Sequence, residues 1–203
     1  MNYKVLVAAA LATTVVRAAG TIEDVPPGWF KNGQGDAFVS CAAGVDAEVA
    51  SQGLQNLTIK CDTLKAGFAG IMQSFGAQAY RGKRLRYSAS IKTTDVSGEG
   101  NPGGGVLWMR VDEPGGKVVA FDNMLNRSVK GTTEWARYQV VLDVSQAAEG
   151  VALGTFLQGR GQLWISDIKL DVVGTEVPVT DIIKGGTPPL PSGPANLTLA
   201  PKQ

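Results

Sequence analysis

A two-residue period in the apolar side chains is the feature that most constrains how this chain can fold. Residues 84–91, 107–112 and 137–143 each alternate between apolar and polar side chains. Because successive side chains of a β-strand point to opposite faces, this period predicts strands with one buried face. Further strands are predicted in four other segments: residues 70–75, 117–122, 151–157 and 162–172.

Turn-forming residues separate the predicted strands. The segments 98–105, 113–116 and 159–161 each hold at least two glycines. No segment keeps a 3.6-residue period for long enough to predict more than one or two helical turns, which residues 42–50 could form. Short strands with one apolar face, separated by turns, predict an all-β fold, namely an antiparallel β-sandwich.

Composition and charge exclude several classes of function. The chain has 203 residues, of which 44% are hydrophobic, and it has a formal net charge of +1 and no histidine. The length and apolar fraction suit one globular domain with extensions. Without histidine, Ser-His-Asp catalysis, Cys-His catalysis and His-ligated zinc are excluded. The near-neutral charge gives no electrostatic footprint for nucleic acid, so we expect no nucleic-acid partner.

The N-terminus has the layout of a secretory signal peptide. Lys4 precedes a largely apolar run at residues 5–16, and Val16 and Ala18 occupy positions −3 and −1 of a cleavage site. This run is too short to span a membrane, which takes about 20 residues. We therefore predict a signal peptide over residues 1–18, no transmembrane segment after cleavage, and a secreted or periplasmic protein. The alternative is a buried N-terminal strand.

Export changes the meaning of the two cysteines. In an oxidising compartment, Cys41 and Cys61 would most simply form one disulfide bond. They lie in strand-like runs at residues 37–43 and 57–61, which neighbouring antiparallel strands could bring together. Two buried free thiols are the alternative.

The composition changes after residue 173. The last 30 residues hold six of the ten prolines and no aromatic residue. Such a segment has little apolar surface to bury, which opposes its folding into a core. We predict a β-sandwich domain over residues 26–173 and an extended or disordered tail over residues 174–203.

The first candidate site lies on a predicted central strand. Alternation places Trp108 and Arg110 on the face opposite the predicted core. An aromatic side chain beside a charged hydrogen-bonding group suits the apolar face and the hydroxyl or carboxylate groups of a sugar. The alternative is that Trp108 packs under a loop while Arg110 pairs with Asp112 across strands.

Two further motifs could contribute to a site. Asp122, Asn123 and Arg127 could surround a polar ligand beside Trp108, although Asp-Asn after a strand is also ordinary turn chemistry. In the last predicted strand, Trp164 could be a second aromatic plate, and Asp167 is a weak candidate ligand for a structural calcium ion. Otherwise we expect no cofactor.

An ordered series of motifs resembles a known bacterial domain. The motifs are Gly28-Trp29-Phe30, Met72-Gln73-Ser74-Phe75, Tyr80-Arg81-Gly82-Lys83-Arg84, Leu107-Trp108-Met109-Arg110-Val111-Asp112, Phe121-Asp122-Asn123-Met124, Gly131-Thr132-Thr133, Trp135, Gly154, Gly159, Gly161-Gln162 and Trp164-Ile165-Ser166-Asp167. They resemble a β-sandwich of the jelly-roll, galactose-binding-like type, similar to carbohydrate-binding modules. Such domains are appended to transcriptional regulators, erythromycin-esterase-like proteins and S41-type peptidases.

The resemblance implies a jelly-roll fold and, by analogy of fold, the binding of carbohydrate or cell-envelope glycan. The expected site residues are Trp108, Arg110, Asp122, Asn123 and Arg127. A protein-interaction module of the envelope is one alternative. A glycan-active enzyme is another, and it would need a carboxylate pair drawn from Asp112, Glu113 and Asp122. The sequence favours a non-catalytic module.

Overall fold

Two antiparallel sheets form the protein. A computed structural model describes residues 21–35, 37–51, 54–63, 66–98, 100 and 102–183, so the predicted signal peptide lies outside the described residues. The elements are β1 (Ile22–Glu23), β2 (Phe30–Gly33), α1 (Ala37–Ser40), β3 (Cys41–Ser51), β4 (Leu54–Cys61), β5 (Ala69–Gly76), β6 (Arg84–Val96), β7 (Gly104–Glu113), β8 (Lys117–Asp122), β9 (Gly131–Asp143), β10 (Gly150–Gln158) and β11 (Gly161–Val173), with 3-10 turns at Gln78–Tyr80 and Pro114–Gly116.

The strands are divided between a six-stranded and a five-stranded sheet. The six-stranded sheet has the order β1-β3-β4-β11-β6-β9, and the five-stranded sheet has the order β2-β5-β10-β7-β8. From β4 to β11 every connection crosses to the other sheet except the one between β7 and β8, which are neighbours in the five-stranded sheet. Such crossings are typical of a sandwich. The predicted all-β sandwich is confirmed.

The core lies between the two sheets and follows the period of two. In β7, Leu107, Met109 and Val111 are fully buried against the core, and their register partners in β10 include Leu153. Trp108 lies on the other face of β7 together with Arg110. The alternation in the sequence therefore separates the core from the outer surface of the five-stranded sheet.

The predicted disulfide bond is present. Cys41 and Cys61 are direct partners in the register of β3 and β4, with their Cα atoms 4.1 Å apart. The expectations for the neighbouring segments were wrong in two places. Ala37–Ser40 forms a short helix instead of the start of a strand, and residues 42–50 form strand instead of a helical turn, because β3 pairs with β4 and buries Ala43 and Val45.

The chain continues in contact with the sandwich beyond the predicted domain end. Residues 174–183 carry backbone hydrogen bonds to both sheets, with Thr180 N donating to Val141 O at 2.8 Å and Ile182 N donating to Phe121 O at 2.8 Å. The structured part of the chain thus extends at least ten residues past Val173. The rest of the predicted tail lies outside the described residues.

Candidate functional site

A groove of about 520 Å³ runs over the outer face of the five-stranded sheet. Its described lining residues come from all five strands and the adjoining loops: Asn32, Gln34, Gly67, Phe68, Met72, Pro102, Trp108, Arg110, Phe121, Asn123, Phe156 and Gln158. Apolar and aromatic surfaces line most of this groove, with a few polar groups between them. This composition is typical of a small-ligand site.

A glycine keeps the floor of the groove low. Gly154 of β10 is the register partner of both Trp108 on β7 and Met72 on β5. A Cβ atom at Gly154 would collide with the carbonyl oxygen of Ile71 on β5. Strands β10 and β5 therefore approach this closely only because Gly154 has no side chain. The space between Trp108 and Met72 is therefore open above the sheet.

Aromatic rings form the walls. Phe68 and Phe156 contact each other with ring centroids 5.1 Å apart and planes tilted by 46°. Trp108 and Phe121 contribute the other aromatic surfaces, from neighbouring strands β7 and β8. Rings of this kind offer apolar faces to which the C–H face of a sugar ring can stack.

Three buried polar atoms of the lining residues have no hydrogen-bond partner among the described residues. They are the Nε1 atom of Trp108 and the Oδ1 atoms of Asn32 and Asn123. Trp108 is only 7% exposed. Since the great majority of buried polar atoms in folded proteins are hydrogen-bonded, three such atoms in one groove mark a place where a polar ligand would complete the bonding.

Arg110 is anchored within the groove. Its Nε atom donates to the Asp112 carboxylate on the same strand, at 3.1 Å from Oδ2, and the side chain is 42% exposed. The pair thus runs along β7, whereas the alternative interpretation of the sequence placed it across strands. Anchoring through Nε fixes the guanidinium plane at the groove.

The structure does not place Asp122 and Arg127 in the groove, which corrects the prediction for these two residues. Asp122 points into the sandwich, is fully buried and forms a salt bridge with Arg127. Because the β8 pleat turns Phe121 towards the groove, its neighbour Asp122 must face the core. Arg127 also donates to the Gln139 carbonyl oxygen at 3.2 Å, on the opposite sheet.

These two residues instead shape the loop that presents Asn123. The Asp122 carboxylate accepts a hydrogen bond from Met124 N at 2.8 Å, and Arg127 N donates to Met124 O at 2.9 Å. Met124 has a φ of +54°, a left-handed conformation that this turn imposes. Asn123 is therefore held beside the groove by buried interactions. Of the predicted site residues, the structure brings together Trp108, Arg110 and Asn123.

The two candidates in the last strand lie elsewhere. Trp164 belongs to the six-stranded sheet, and its Nε1 atom donates to Asp46 Oδ2 at 2.8 Å, so it is not a second plate in the groove. The Asp167 carboxylate contacts two cations, Arg137 at 2.6 Å and Lys169 at 3.2 Å. Within the described ranges no group of three or more His, Cys, Asp or Glu side chains could hold a metal ion.

The carboxylates considered for catalysis are each bound to other side chains. Asp112 is paired with Arg110 and Asp122 with Arg127, while Glu113 accepts from Ser145 Oγ at 2.8 Å. None of these arrangements leaves two opposed acids across the groove, which glycoside hydrolysis with a carboxylate pair would require.

Several groove residues were not predicted from the sequence. Asn32 and Gln34 come from the edge strand β2 and its end, Phe68 from a loop, and Phe156 and Gln158 from β10. The run 151–157 has only one polar side chain, that of Thr155, so it gives no period of two to separate its faces. Gly154 in the middle of that strand was the available signal, because an interior strand glycine often marks a close approach.

Comparison with known proteins connects the chain to a bacterial regulator. No family model matches the sequence. The chain is 38% identical over 157 residues to the uncharacterized HTH-type transcriptional regulator YbfP of Bacillus subtilis (strain 168). The match covers 76% of this chain and 51% of the regulator, so the chain spans about half the length of this relative.

Solved structures show the same fold at low sequence identity. A xylan-binding domain from carbohydrate-binding module family 22 has a TM-score of 0.51 and 12% identity, over 78% of this chain and 95% of that one. The enzymatically active domain of tailspike protein 4 from bacteriophage CBA120 has a TM-score of 0.54 and 14% identity, over 72% of this chain and 20% of that one. The predicted resemblance to a carbohydrate-binding-module-like β-sandwich, of the kind joined to transcriptional regulators, is confirmed.

Helices in the described part of the chain are short. None of them is both long and apolar enough to cross a membrane.

Proposed function

We propose that this protein is a non-catalytic module that binds carbohydrate in the groove of the five-stranded sheet. The observation that carries the proposal is the set of three buried polar atoms, on Trp108, Asn32 and Asn123, that lie beside aromatic walls and have no hydrogen-bond partner in the described part of the chain. A sugar can contact both kinds of group in this groove. Its apolar C–H faces can stack on the aromatic rings, and its hydroxyl groups can both donate and accept hydrogen bonds.

The polar groups suit hydroxyl recognition. The Nε1–H of Trp108 needs an acceptor, and the Oδ1 atoms of Asn32 and Asn123 need donors. A hydroxyl group can satisfy either. Arg110 adds a fixed cationic donor whose Nε atom is already bonded to Asp112. The groove is therefore equipped for a polyhydroxylated ligand, and the structurally similar xylan-binding domain makes xylan the first polysaccharide to test.

Binding can be measured by affinity gel electrophoresis and calorimetry against xylan, other soluble polysaccharides and purified cell-wall glycan. We expect at least one of these to bind, and Trp108→Ala to weaken that binding by at least about tenfold, since it removes both an aromatic face and the indole N–H donor, each of which contributes about 1 kcal/mol. Trp135→Ala is the matched control, because Trp135 lies on β9 in the other sheet. Full affinity in Trp108→Ala, or no binding to any polysaccharide tested, would contradict the proposal. Co-purification of an envelope protein would favour the protein-interaction alternative.

We also propose that the protein is exported. The signal-like layout of residues 1–18 and the disulfide between Cys41 and Cys61 support this localisation. Expression of the full chain in a bacterial host should give a mature N-terminus near residue 19 in the medium or periplasm. An intact N-terminus in the cytoplasm, with both thiols reduced, would contradict export.

A further inference from the structure

Residues 174–183, here named the C-terminal clasp, join the free edges of the two sheets. On the six-stranded side, β9 pairs only with β6 among the described strands. The clasp bonds to its outer edge through Thr180: Thr180 N donates to Val141 O at 2.8 Å, and Val141 N donates to Thr180 Oγ1 at 2.9 Å. One edge of the sandwich is thereby covered.

On the five-stranded side, the clasp bonds to Phe121 of the edge strand β8. Phe121 N donates to Asp181 Oδ1 at 3.2 Å, and Ile182 N donates to Phe121 O at 2.8 Å. Asp181 is only 5% exposed, and the same Oδ1 atom accepts from Ile183 N at 2.9 Å. Both backbone polar groups of Phe121 that face away from β7 are thus taken up by the clasp.

Phe121 is also part of the groove wall. Its ring lines the groove beside Asn123, which follows two residues later on the loop held by Asp122. The backbone of one residue therefore belongs to the clasp contact, while its side chain belongs to the candidate binding surface. A shift of the β8 edge at Phe121 moves the groove wall, because backbone and ring are one rigid unit apart from side-chain rotation.

We propose that Asp181 is a positioning residue for the groove: through the Phe121 backbone it sets the wall, and occupancy of the groove and docking of the clasp are coupled. The coupling to a ligand rests on the proposed carbohydrate-binding function. By thermodynamic reciprocity, the factor by which the docked clasp raises the affinity for a ligand equals the factor by which a bound ligand favours the docked clasp.

The positioning role can be tested without any ligand, by ¹⁵N NMR and amide hydrogen exchange on the full chain. Asp181→Ala removes the acceptor for Phe121 N, and we expect exchange at the Phe121 amide to accelerate about tenfold, the equivalent of one lost hydrogen bond. We also expect the indole signal of Trp108 and the side-chain amide signal of Asn123 to shift. Asp181→Asn keeps an oxygen acceptor and should restore both signals.

Thr180→Val is the matched control. It removes the hydroxyl that accepts from Val141 N on the opposite sheet, so it loosens the clasp without removing a contact to Phe121. We expect changes at Val141 and little change at Trp108 and Asn123. If Asp181→Ala does not fold, Asp181→Ser gives the same comparison with a shorter side chain.

The outcomes separate this proposal from the binding function. Unchanged Trp108 and Asn123 signals in a folded Asp181→Ala, with Phe121 exchange accelerated, would overturn the positioning role whether or not a glycan binds. Equal groove shifts in Thr180→Val and Asp181→Ala would reduce Asp181 to a general stabilising role. If xylan or another polysaccharide binds, its affinity should fall more in Asp181→Ala than in Thr180→Val.

Discussion

Trp108 and Trp164 occupy comparable positions in the two sheets, yet their polar atoms have different surroundings. Each lies in a long strand, on the face turned away from the core, and each is 7% exposed. In the six-stranded sheet, Trp164 Nε1 donates to Asp46 at 2.8 Å. In the five-stranded sheet, Trp108 Nε1 has no partner among the described residues. The indole N–H of Trp164 is thus already used within the fold, whereas that of Trp108 has the hydrogen-bonding capacity that the proposed ligand would fill.

The charged residues of the two outer faces show the same contrast. On the six-stranded sheet, basic and acidic side chains pair across strands, as in Arg84 with Asp143 and Lys92 with Glu134, both at 2.7 Å. The hydrogen bond to Asp143 is the main cause that raises the pKa of Arg84. On the five-stranded sheet, Arg110 lies at the groove, where its Nε atom donates to the Asp112 carboxylate. Salt bridges across strands therefore occupy the outer face of the six-stranded sheet, whereas the candidate groove occupies the outer face of the five-stranded sheet.

The largest expected effect concerns the pair that supports the groove loop. Arg127→Ala leaves the fully buried Asp122 carboxylate without its cation, and we expect a loss of about 3 kcal/mol in the free energy of unfolding. Urea denaturation measures this loss. Glu134→Ala, which breaks an exposed pair on the other sheet, is the control and should cost less than about 1 kcal/mol. Equal losses in the two variants would show that the groove loop does not depend on the buried pair.

A second prediction separates the two tryptophans. Trp164→Phe removes a hydrogen bond to a carboxylate, whereas Trp108→Phe removes none, so Trp164→Phe should be less stable than Trp108→Phe by about 2 kcal/mol. Thermal and urea denaturation of the two variants give the difference directly. A larger loss in Trp108→Phe would mean that its indole N–H already has a partner, and the groove would lose its principal unpaired donor.

A third, smaller effect distinguishes an unpartnered group in the core from one in the groove. The Tyr87 hydroxyl is fully buried between the sheets with no hydrogen-bond partner among the described residues. Tyr87→Phe should therefore stabilise the protein by about 1 kcal/mol, while leaving glycan binding unchanged. A decrease in stability, measured by the same urea titration, would show that the hydroxyl is bonded.

The pH dependence of stability gives a second test of whether the Tyr87 hydroxyl is buried in the core. Burial raises the pKa of Tyr87 above its ordinary value, so the folded state favours the neutral phenol. The free energy of unfolding is therefore unaffected by this group below the pKa of the unfolded state, about 10, and decreases as the pH rises above that value. The parent protein should therefore lose more stability than Tyr87→Phe in alkaline solution.

Much of the fold could be predicted because the relevant signals are local. The two-residue period of residues 107–112 separates the core-facing side chains from Trp108 and Arg110, and the turn residues between segments mark the strand ends. Residues 42–50 were less predictable, since their small side chains suit a helix as well as a strand. Pairing with β4 and the disulfide to Cys61 decide the outcome, and neither is visible in the local sequence.

The site was predicted only in part, for a related reason. Trp108, Arg110 and Asn123 could be inferred from one strand and the loop that follows the next. The orientation of Asp122 depends on the pleat of β8, and the motif alone fits a turn and a ligand contact equally well. Phe68 and Phe156 come together only through the pairing of distant strands, so no spacing along the chain identifies them.

The most direct test of the central claim is a titration of the ¹⁵N-labelled protein with the tightest-binding polysaccharide from the panel, followed through the indole N–H signals of its four tryptophans. We predict that the Trp108 signal shifts progressively to saturation as its Nε1–H gains an acceptor, while the Trp164 signal, already bonded to Asp46, stays in place. A shift confined to Trp164, or saturable binding with the Trp108 signal unmoved, would contradict the assignment of the groove as the binding site.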